Sequence, residues 1–524
     1  MFNNNRKGIN TDSRTANSFR NVSSGLSSQI VYTILGFVSR TIFIKYLAVE
    51  YLGINGLFSS ILSVLALAEL GVGSAFVYSL YKPLAEKKED VVASILNLYK
   101  KVYITVGFVV FVLGICLLPF LDQLIPQKPD NISESISTIY LLFLFNSASS
   151  YFFSYKVSLI NADQRNYIST WNYLIFYIVQ NILQIVVLIL YQNFLFYLTV
   201  QLVCQFLSNV SISFIVNKYY PFLSQYKKLK VDNAIKKEII SNAKATFIIR
   251  IGGILVNSTD NLIINYFSGL ALVGLASNYN LLIGIATAII LQIFNNISSS
   301  IAQINAVESK IKQYETFKMI NLANFWIYGF TAICFILLAN DFIAIWIGNS
   351  YILPMSISLM IAINFFMVGV QGTIWTYKAT YGFFNQGKYL VILTALLNLA
   401  FSFLLGHYWG LFGILLATAL ARLITNFWYD PYIIFKLGLA IPPKIYLKSF
   451  FKFLLVLIFT GFITFKVTLL LNFSNLINLI VKLVICLIIP NLMIYLYYKK
   501  TNEFESMKFI FINSFKSILQ KFQK

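Results

Sequence analysis

The chain has 524 residues, of which 58% are hydrophobic and 11% are charged, and its formal net charge is +21. Soluble domains usually carry about 25% charged residues, so this composition excludes a water-soluble protein and predicts a polytopic membrane protein. The single histidine, His407, excludes a histidine-based metal site. The four cysteines have neither metal-ligand spacing nor an evident partner, and we interpret them as small core hydrophobes.

Fourteen stretches are apolar over the roughly 20 residues that a helix needs to cross a bilayer. The predicted fold class is therefore an all-α polytopic membrane protein with about 14 transmembrane helices. The spans are centred on residues 26–46, 54–78, 102–121, 138–158, 169–190, 194–216, 244–266, 270–294, 319–339, 353–375, 389–407, 410–430, 448–470 and 476–497.

The lysines and arginines indicate how these spans are oriented. With both termini placed in the cytoplasm, only Lys45, Lys128 and Lys466 fall in outward loops, and nearly all the others fall in inward segments. This asymmetry is the positive-inside pattern. It accounts for the basic charge without nucleic acid as a partner. The largest inward loop, about residues 218–242, is a basic helical connector whose lysines we expect to contact anionic lipid headgroups. Because every outward loop is short, we predict that the chain is not an enzyme.

A weak internal repeat relates the first six spans to the next six. The spacing from Gly53 to Gly274 recurs from Tyr167 to Tyr389 to within one residue, and Asn209 pairs with Asn426 after a short deletion. We therefore predict two pseudo-symmetric six-helix lobes with a midplane site, which is a transporter architecture. The predicted segments are a basic cytoplasmic N-terminus 1–23, an N-lobe 24–217, a basic linker 218–243, a C-lobe 244–436, two further spans in 437–500, and an amphipathic cytoplasmic tail 501–524.

Four charged residues lie well inside the first, second and seventh spans, where a charge is costly and marks function by default. At about 1.5 Å per helical residue, Arg40 and Asp260 lie at similar depths in the outer half. Glu69 and Arg250 lie at similar depths in the inner half. We predict that these two couples close the outer and inner gates in turn. The alternative is that each charge is satisfied separately by local polar groups or water.

Further polar residues lie within the spans. Span two carries Asn55 and Ser63, and span eight carries Asn278 and Asn280; we expect these four to line a hydrated cavity, while some such residues only join helices. Arg422 lies in span twelve with no acid at matching depth, and we predict that it faces an anionic substrate.

The segments "RTIFIKYLAVEYLGINGLFSSIL" and "LALAELGVGSAFVYSLYKPLAE" resemble the Wzx-type oligosaccharide flippases. These form the polysaccharide-transporter branch of the multidrug/oligosaccharidyl-lipid/polysaccharide (MOP) exporter superfamily. The resemblance covers about residues 39–103 and continues through "LYKKVY". One departure is Ala48, where the family commonly has glycine.

The resemblance implies a MATE-like, two-lobed transporter of the bacterial cytoplasmic membrane that works by alternating access. Its implied substrate is a polyprenyl-pyrophosphate-linked oligosaccharide destined for capsule, O-antigen or a related polymer, and its implied partners are the polymerase and glycosyltransferases of that pathway. Arg40, Arg250 and Arg422 are then the candidate substrate-binding residues, since arginine binds phosphate bidentately. Glu69 and Asp260 are the candidates for gating or for H⁺ or Na⁺ coupling, with no other cofactor.

Two alternatives remain. A multidrug cation antiporter of the same superfamily would have a net acidic cavity, whereas arginines outnumber acids among the embedded charges here. A membrane-bound polysaccharide polymerase would need a substantial outward loop with catalytic side chains, and no predicted loop has that length.

Overall fold

In the computed structural model, every regular element of the described residues is helical. The structure describes residues 14–69, 71–125, 129, 131–227, 229–383, 386–470 and 475–509. Within these ranges only the backbone is described for 14–16, 18, 19, 68, 245, 246, 248–257, 293, 295–300, 306 and 475. A helix satisfies every backbone hydrogen bond within its own segment, which lipid requires of a spanning chain. The predicted fold class is confirmed.

The chain divides into two compact units, Met1–Gly274 and Leu275–Lys524. The first unit contains helices α1 (Arg14–Tyr46), α2 (Val49–Leu65), α3 (Val72–Ala85), α4 (Glu89–Cys116), α5 (Leu121–Leu124), α6 (Ile136–Ala162), α7 (Asn166–Tyr191), α8 (Phe194–Tyr219), α9 (Phe222–Gln225) and α10 (Asn233–Ser258). Helix α11 (Asp260–Val307) begins in the first unit and continues into the second.

The second unit continues with α12 (Lys310–Trp346), α13 (Met355–Val370), α14 (Gly372–Thr380), α15 (Lys388–Ile424), α16 (Asn426–Ile433), α17 (Lys444–Leu469) and α18 (Asn475–Tyr498). Its core is built on α12, α13 and α17, where Phe325 packs against Phe450 and Phe453. After α18, residues 502–509 form the start of the predicted amphipathic tail, and residues 510–524 lie outside the described part of the chain.

The described helices agree with the predicted spans. Among the described residues, eleven segments are long and apolar enough to cross a membrane, and Val49–Leu65 is a shorter apolar helix. One of the eleven, Lys388–Leu439, has 52 residues and contains spans eleven and twelve, which meet at a kink at Gly410. Span seven falls on α10 and the first residues of α11. The number of described helices is therefore roughly consistent with the fourteen predicted spans, and the protein is a multi-pass membrane protein.

Span two is broken in its middle. Helix α2 ends at Leu65, a 3₁₀ turn covers Ala66–Glu69, and α3 begins at Val72 after Gly71. Gly71 has φ of 82°, a left-handed conformation that a residue with a side chain adopts only at a cost. The break therefore places Glu69 where the helical hydrogen-bonding pattern is interrupted.

The boundary between the units lies at Gly274, beyond the linker 218–243, because α10 and the start of α11 pack in the first unit. Helix α10 packs against α2 and α3. Asn261 donates to the Ser60 hydroxyl over 3.0 Å, and Asn265 donates to the Leu124 carbonyl over 2.6 Å. Polar side chains thus attach this segment to the helices before it.

Two glycines allow α2 to approach the start of α11 so closely that the two backbones are in contact. A Cβ built on Gly53 would lie 2.0 Å from the Leu270 carbonyl oxygen, and one on Gly274 would lie 2.3 Å from that of Val49. Leu270 follows a kink at Gly269, whose φ is 79°. The glycines that the sequence repeat pairs are therefore both needed at one helix contact.

Candidate functional site

The first unit contains a cavity of about 620 Å³ between α3, α4, α6, α7 and α8. Hydroxyl, amide and aromatic side chains dominate its wall, and Glu69 is the acidic group among the described residues that line it. The lining residues are Glu69, Gly73, Ser74, Val77, Tyr78, Tyr81, Tyr99, Tyr103, Ser150, Ser154, Val157, Ser158, Tyr173, Gln205 and Asn209. A concave site with a few convergent polar groups is the usual form of a small-molecule site.

Glu69 is held at the cavity by tyrosine hydroxyls. The Tyr103 hydroxyl donates to its Oε1, and the Tyr151 hydroxyl interacts electrostatically with its carboxyl group. Both tyrosine rings are buried. Hydrogen bonds to a charged acceptor are the stronger class of protein hydrogen bond. The carboxylate is thereby oriented without a salt bridge among the described residues.

The tyrosines of α4 are fixed by ring packing. Tyr99 stacks on Phe76 with ring centroids 4.2 Å apart, and it meets Tyr103 edge to face at 4.5 Å. Its hydroxyl lies 2.9 Å from that of Ser158. Gly73 makes room for these groups, since a Cβ there would lie 2.6 Å from the Tyr103 hydroxyl. A rigid aromatic wall therefore surrounds the carboxylate.

Helix α8 presents a polar stripe to the cavity at four-residue spacing, which places residues on one helix face. Gln205 and Asn209 line the cavity, and Ser213 follows on the same face. Asn209 is 5% exposed, and its Nδ2 has no hydrogen-bond partner among the described residues. An amide in that position is available to water or to a ligand.

Glu69 is the member of the predicted site that lines this cavity. Arg40 lies half-buried on α1, where it interacts electrostatically with Tyr197 of α8. Asp260 is the half-buried first residue of α11. The side chain of Arg250 lies outside the described residues, and so the predicted Glu69–Arg250 couple stays a prediction, as does the approach of Arg40 to Asp260.

The remaining predicted residues are dispersed. Asn55 and Ser63 lie half-buried on α2; Asn278 is fully buried and Asn280 exposed on α11. Arg422 is half-buried near the end of α15. The repeat spacing that pairs Asn209 with Asn426 pairs Arg422 with Gln205, a residue that lines the cavity. The sequence repeat therefore predicts that Arg422 occupies the equivalent position in the second lobe.

Sequence reasoning missed the partners of Glu69. Tyr99 and Tyr103 are four residues apart in "LYKKVY" and so share one face of α4. This four-residue spacing was the feature of the sequence from which a pair of tyrosines on one helix face could have been predicted. Tyr151 carries no comparable signal, because only the packing of α6 against α4 brings it to Glu69.

Comparisons with known proteins give the fold. No protein-family model and no curated protein sequence matches the chain. A structure of the lipid II flippase MurJ in an inward closed conformation matches with a TM-score of 0.62 and 15% identity, over 91% of this chain and 98% of that one. An inward-facing multidrug resistance MATE family transporter of the MOP superfamily matches with a TM-score of 0.60 and 14% identity, over 79% of this chain and 98% of that one. This chain therefore has the fold that MurJ and MATE transporters share.

Proposed function

We propose that this protein is a flippase that moves polyprenyl-pyrophosphate-linked oligosaccharides from the inner to the outer leaflet of a bacterial cytoplasmic membrane. The observation that carries the proposal is the cavity around Glu69, whose wall is rich in hydroxyl, amide and tyrosine side chains. Sugars offer many hydroxyl groups and apolar ring faces, which such a wall matches. The likeness to a lipid II flippase supports the lipid-linked substrate class.

In this proposal the embedded charges have separate tasks. Arg40, Arg250 and Arg422 bind the anionic part of the substrate, since arginine remains charged and pairs with phosphate. Glu69 and Asp260 couple transport to H⁺ or Na⁺, or gate it. The residue motifs of span two support the polysaccharide-transporter branch, with capsule or O-antigen as the product class and the polymerase and glycosyltransferases as pathway partners.

The second candidate function is a multidrug cation antiporter, and a specific observation favours it. Glu69 lies among tyrosine rings, and a carboxylate with aromatic faces is also a site for an organic cation. The MATE likeness supports this candidate as well.

Transport in proteoliposomes separates the two candidates. The purified chain is reconstituted, and the outward movement of a fluorescent lipid-linked oligosaccharide is followed by quenching from outside. We expect translocation of this lipid and no export of cationic dyes. Dye export without lipid translocation would replace the flippase with the antiporter. Vesicles that contain the Glu69→Gln variant are the matched control, because glutamine keeps the shape of the Glu69 side chain and removes its charge.

The gate hypothesis has its own test in the same vesicles. Arg40→Asp and Asp260→Arg should each stop transport, and the double exchange should restore part of it if the two side chains pair during the cycle. A double exchange as inactive as the single variants contradicts the pairing.

The cytoplasmic location of both termini is checked by labelling cysteines introduced at each end with an impermeant reagent.

A further inference from the structure

The serine hydroxyls that α6 contributes to the cavity already use their protons within the helix. Ser150, Ser154 and Ser158 are spaced four residues apart and line the cavity. Each donates to a main-chain carbonyl of α6, over 2.7, 2.9 and 3.1 Å respectively. A carbonyl oxygen can only accept, so the direction of these bonds is fixed. Each serine therefore offers the cavity the lone pairs of its oxygen and no proton.

Three hydroxyl groups near Glu69 use their protons in the same way. Because the Ser158 proton is bound within α6, the Tyr99 hydroxyl is the donor in the 2.9 Å contact between these two residues. The Tyr103 hydroxyl donates to the Glu69 carboxylate. Ser74 donates to a main-chain carbonyl over 3.2 Å. With the three serines of α6, six hydroxyl groups of the wall thus act toward a ligand as hydrogen-bond acceptors.

Glu69 adds a charged acceptor to these oxygens. An ionised carboxylate has about four lone-pair sites and no donor, and the Tyr103 hydroxyl occupies one of them. The amide groups of Gln205 and Asn209 supply N–H donors from α8. The wall therefore has acceptors and a negative charge on the side of Glu69 and α6, and amide donors on the side of α8.

Tyr78 and Tyr81 on α3 add exposed aromatic rings to the wall. Both line the cavity, and their ring centroids lie 6.4 Å apart in an edge-to-face arrangement. The face of a tyrosine ring attracts an ammonium group placed over it. The same face packs against apolar C–H groups, which a sugar ring also presents. These rings therefore suit a ligand that is both a sugar and a cation.

We propose that the cavity binds a sugar with a protonated amino group, whose ammonium contacts Glu69 and the serine oxygens of α6 while its hydroxyls accept from Asn209. This inference rests on the proposed function, because the sugar is then part of the transported oligosaccharide. An ammonium group has three donors and no acceptor, as this wall requires. A uronic acid has a carboxylate that only accepts, and Glu69 repels it. A phosphatidylethanolamine headgroup has the same ammonium chemistry and is the competing source.

The test compares three β-1,4-linked disaccharides that differ in charge: those of glucosamine and of glucose, and cellobiouronic acid. Their affinities for the full chain in phosphatidylcholine nanodiscs are measured by saturation-transfer NMR. Glu69→Gln removes the charge of the site, and Ser154→Ala removes one acceptor. Ser149→Ala is the matched control, because Ser149 makes the same kind of bond within α6 over 3.0 Å but precedes Ser150 by one residue and so lies on a different face of the helix.

We expect the unaltered protein to bind the glucosamine disaccharide about tenfold or more tightly than the glucose disaccharide, and cellobiouronic acid most weakly. Glu69→Gln should abolish the preference for the amine and leave binding of the glucose disaccharide unchanged, which shows that the variant is folded. Ser154→Ala should weaken binding of the glucosamine disaccharide about threefold or more, whereas Ser149→Ala should not. Equal binding of the three disaccharides, or a preference for the amine that survives Glu69→Gln, overturns the inference.

Two further arms identify the source of the ammonium group and separate this inference from the proposed function. If phosphatidylethanolamine added to the nanodiscs displaces the glucosamine disaccharide, the headgroup is the ligand and the sugar assignment falls. Translocation of lipid-linked oligosaccharides tests the function. If they move equally well with and without a free amine and binding shows no preference, the inference falls and the flippase stands. If the preference depends on Glu69 but no lipid-linked oligosaccharide moves, the amino-sugar site stands and the proposed function falls.

Discussion

Removing the Tyr103 hydroxyl tests whether Glu69 is an ionised hydrogen-bond acceptor. Tyr103→Phe leaves the buried ring in place and deletes the donor to Glu69. A hydrogen bond to a charged group contributes about 1.5–3 kcal/mol, and a neutral one about 0.5–1.5 kcal/mol. The chain supplies a matched control in Tyr99→Phe, because Tyr99 is equally buried in the same ring cluster and bonds the neutral Ser158.

We therefore expect Tyr103→Phe to lower the free energy of unfolding by about 1–1.5 kcal/mol more than Tyr99→Phe does. The measurement is unfolding of the purified chain in mixed micelles by titration with sodium dodecyl sulfate. In a Glu69→Gln background the excess should largely disappear, since the acceptor is then neutral; this double-mutant cycle isolates the pair. Equal losses for the two tyrosines, or an excess that persists in the Glu69→Gln background, would refute an ionised Glu69.

Three other predictions concern the helix break, the second unit and the tail. Gly71→Ala should lower the free energy of unfolding by about 1–2 kcal/mol, measured in the same titration, because φ at this position is 82°. Cys334 on α12 and Cys486 on α18 lie near each other, so membrane-permeable copper phenanthroline should oxidise them to a disulfide that protects both from maleimide; continued labelling contradicts their proximity. Burial opposes ionisation of Glu503, but its backbone amide and Lys318 outweigh this and hold its pKa below the ordinary value of 4.5. A depressed pKa stabilises the docked tail at neutral pH, and this stabilisation is lost as the pH falls below about 4.5. A spin label on residues 502–509 should become mobile below this pH. Glu503→Gln should remove the pH dependence of the label's mobility.

The spans could be predicted from sequence because hydropathy and the positive-inside pattern depend only on residues that are close together in the chain. Glu69 stood out for the same reason, as a charge in an apolar run. The break at Glu69 was less evident, since it depends on the left-handed conformation that Gly71 adopts. Hydropathy also does not predict long kinked helices. It predicts two separate spans on either side of Gly410, whereas the structure has one helix with a kink there.

The partners of the site residues could not be predicted, because they depend on how each helix is rotated about its axis. Tyr151 reaches Glu69 from a helix far along the chain, and no periodicity specifies that rotation. The same limit applies to Cys334 and Cys486, which lie side by side where α12 packs against α18, although the sequence shows no evident partner for either.

The close approach of α2 to the start of α11 determines which glycines can vary. At Gly53 and Gly274 an added methyl group would overlap a backbone carbonyl, which has no rotamer through which to move away. At Gly25 and Gly284 the same methyl group would meet nothing within 4 Å. In a library of all single substitutions, the first two positions should retain glycine alone, whereas the other two should accept most small residues. Four chemically identical residues thus separate into two classes of mutational tolerance.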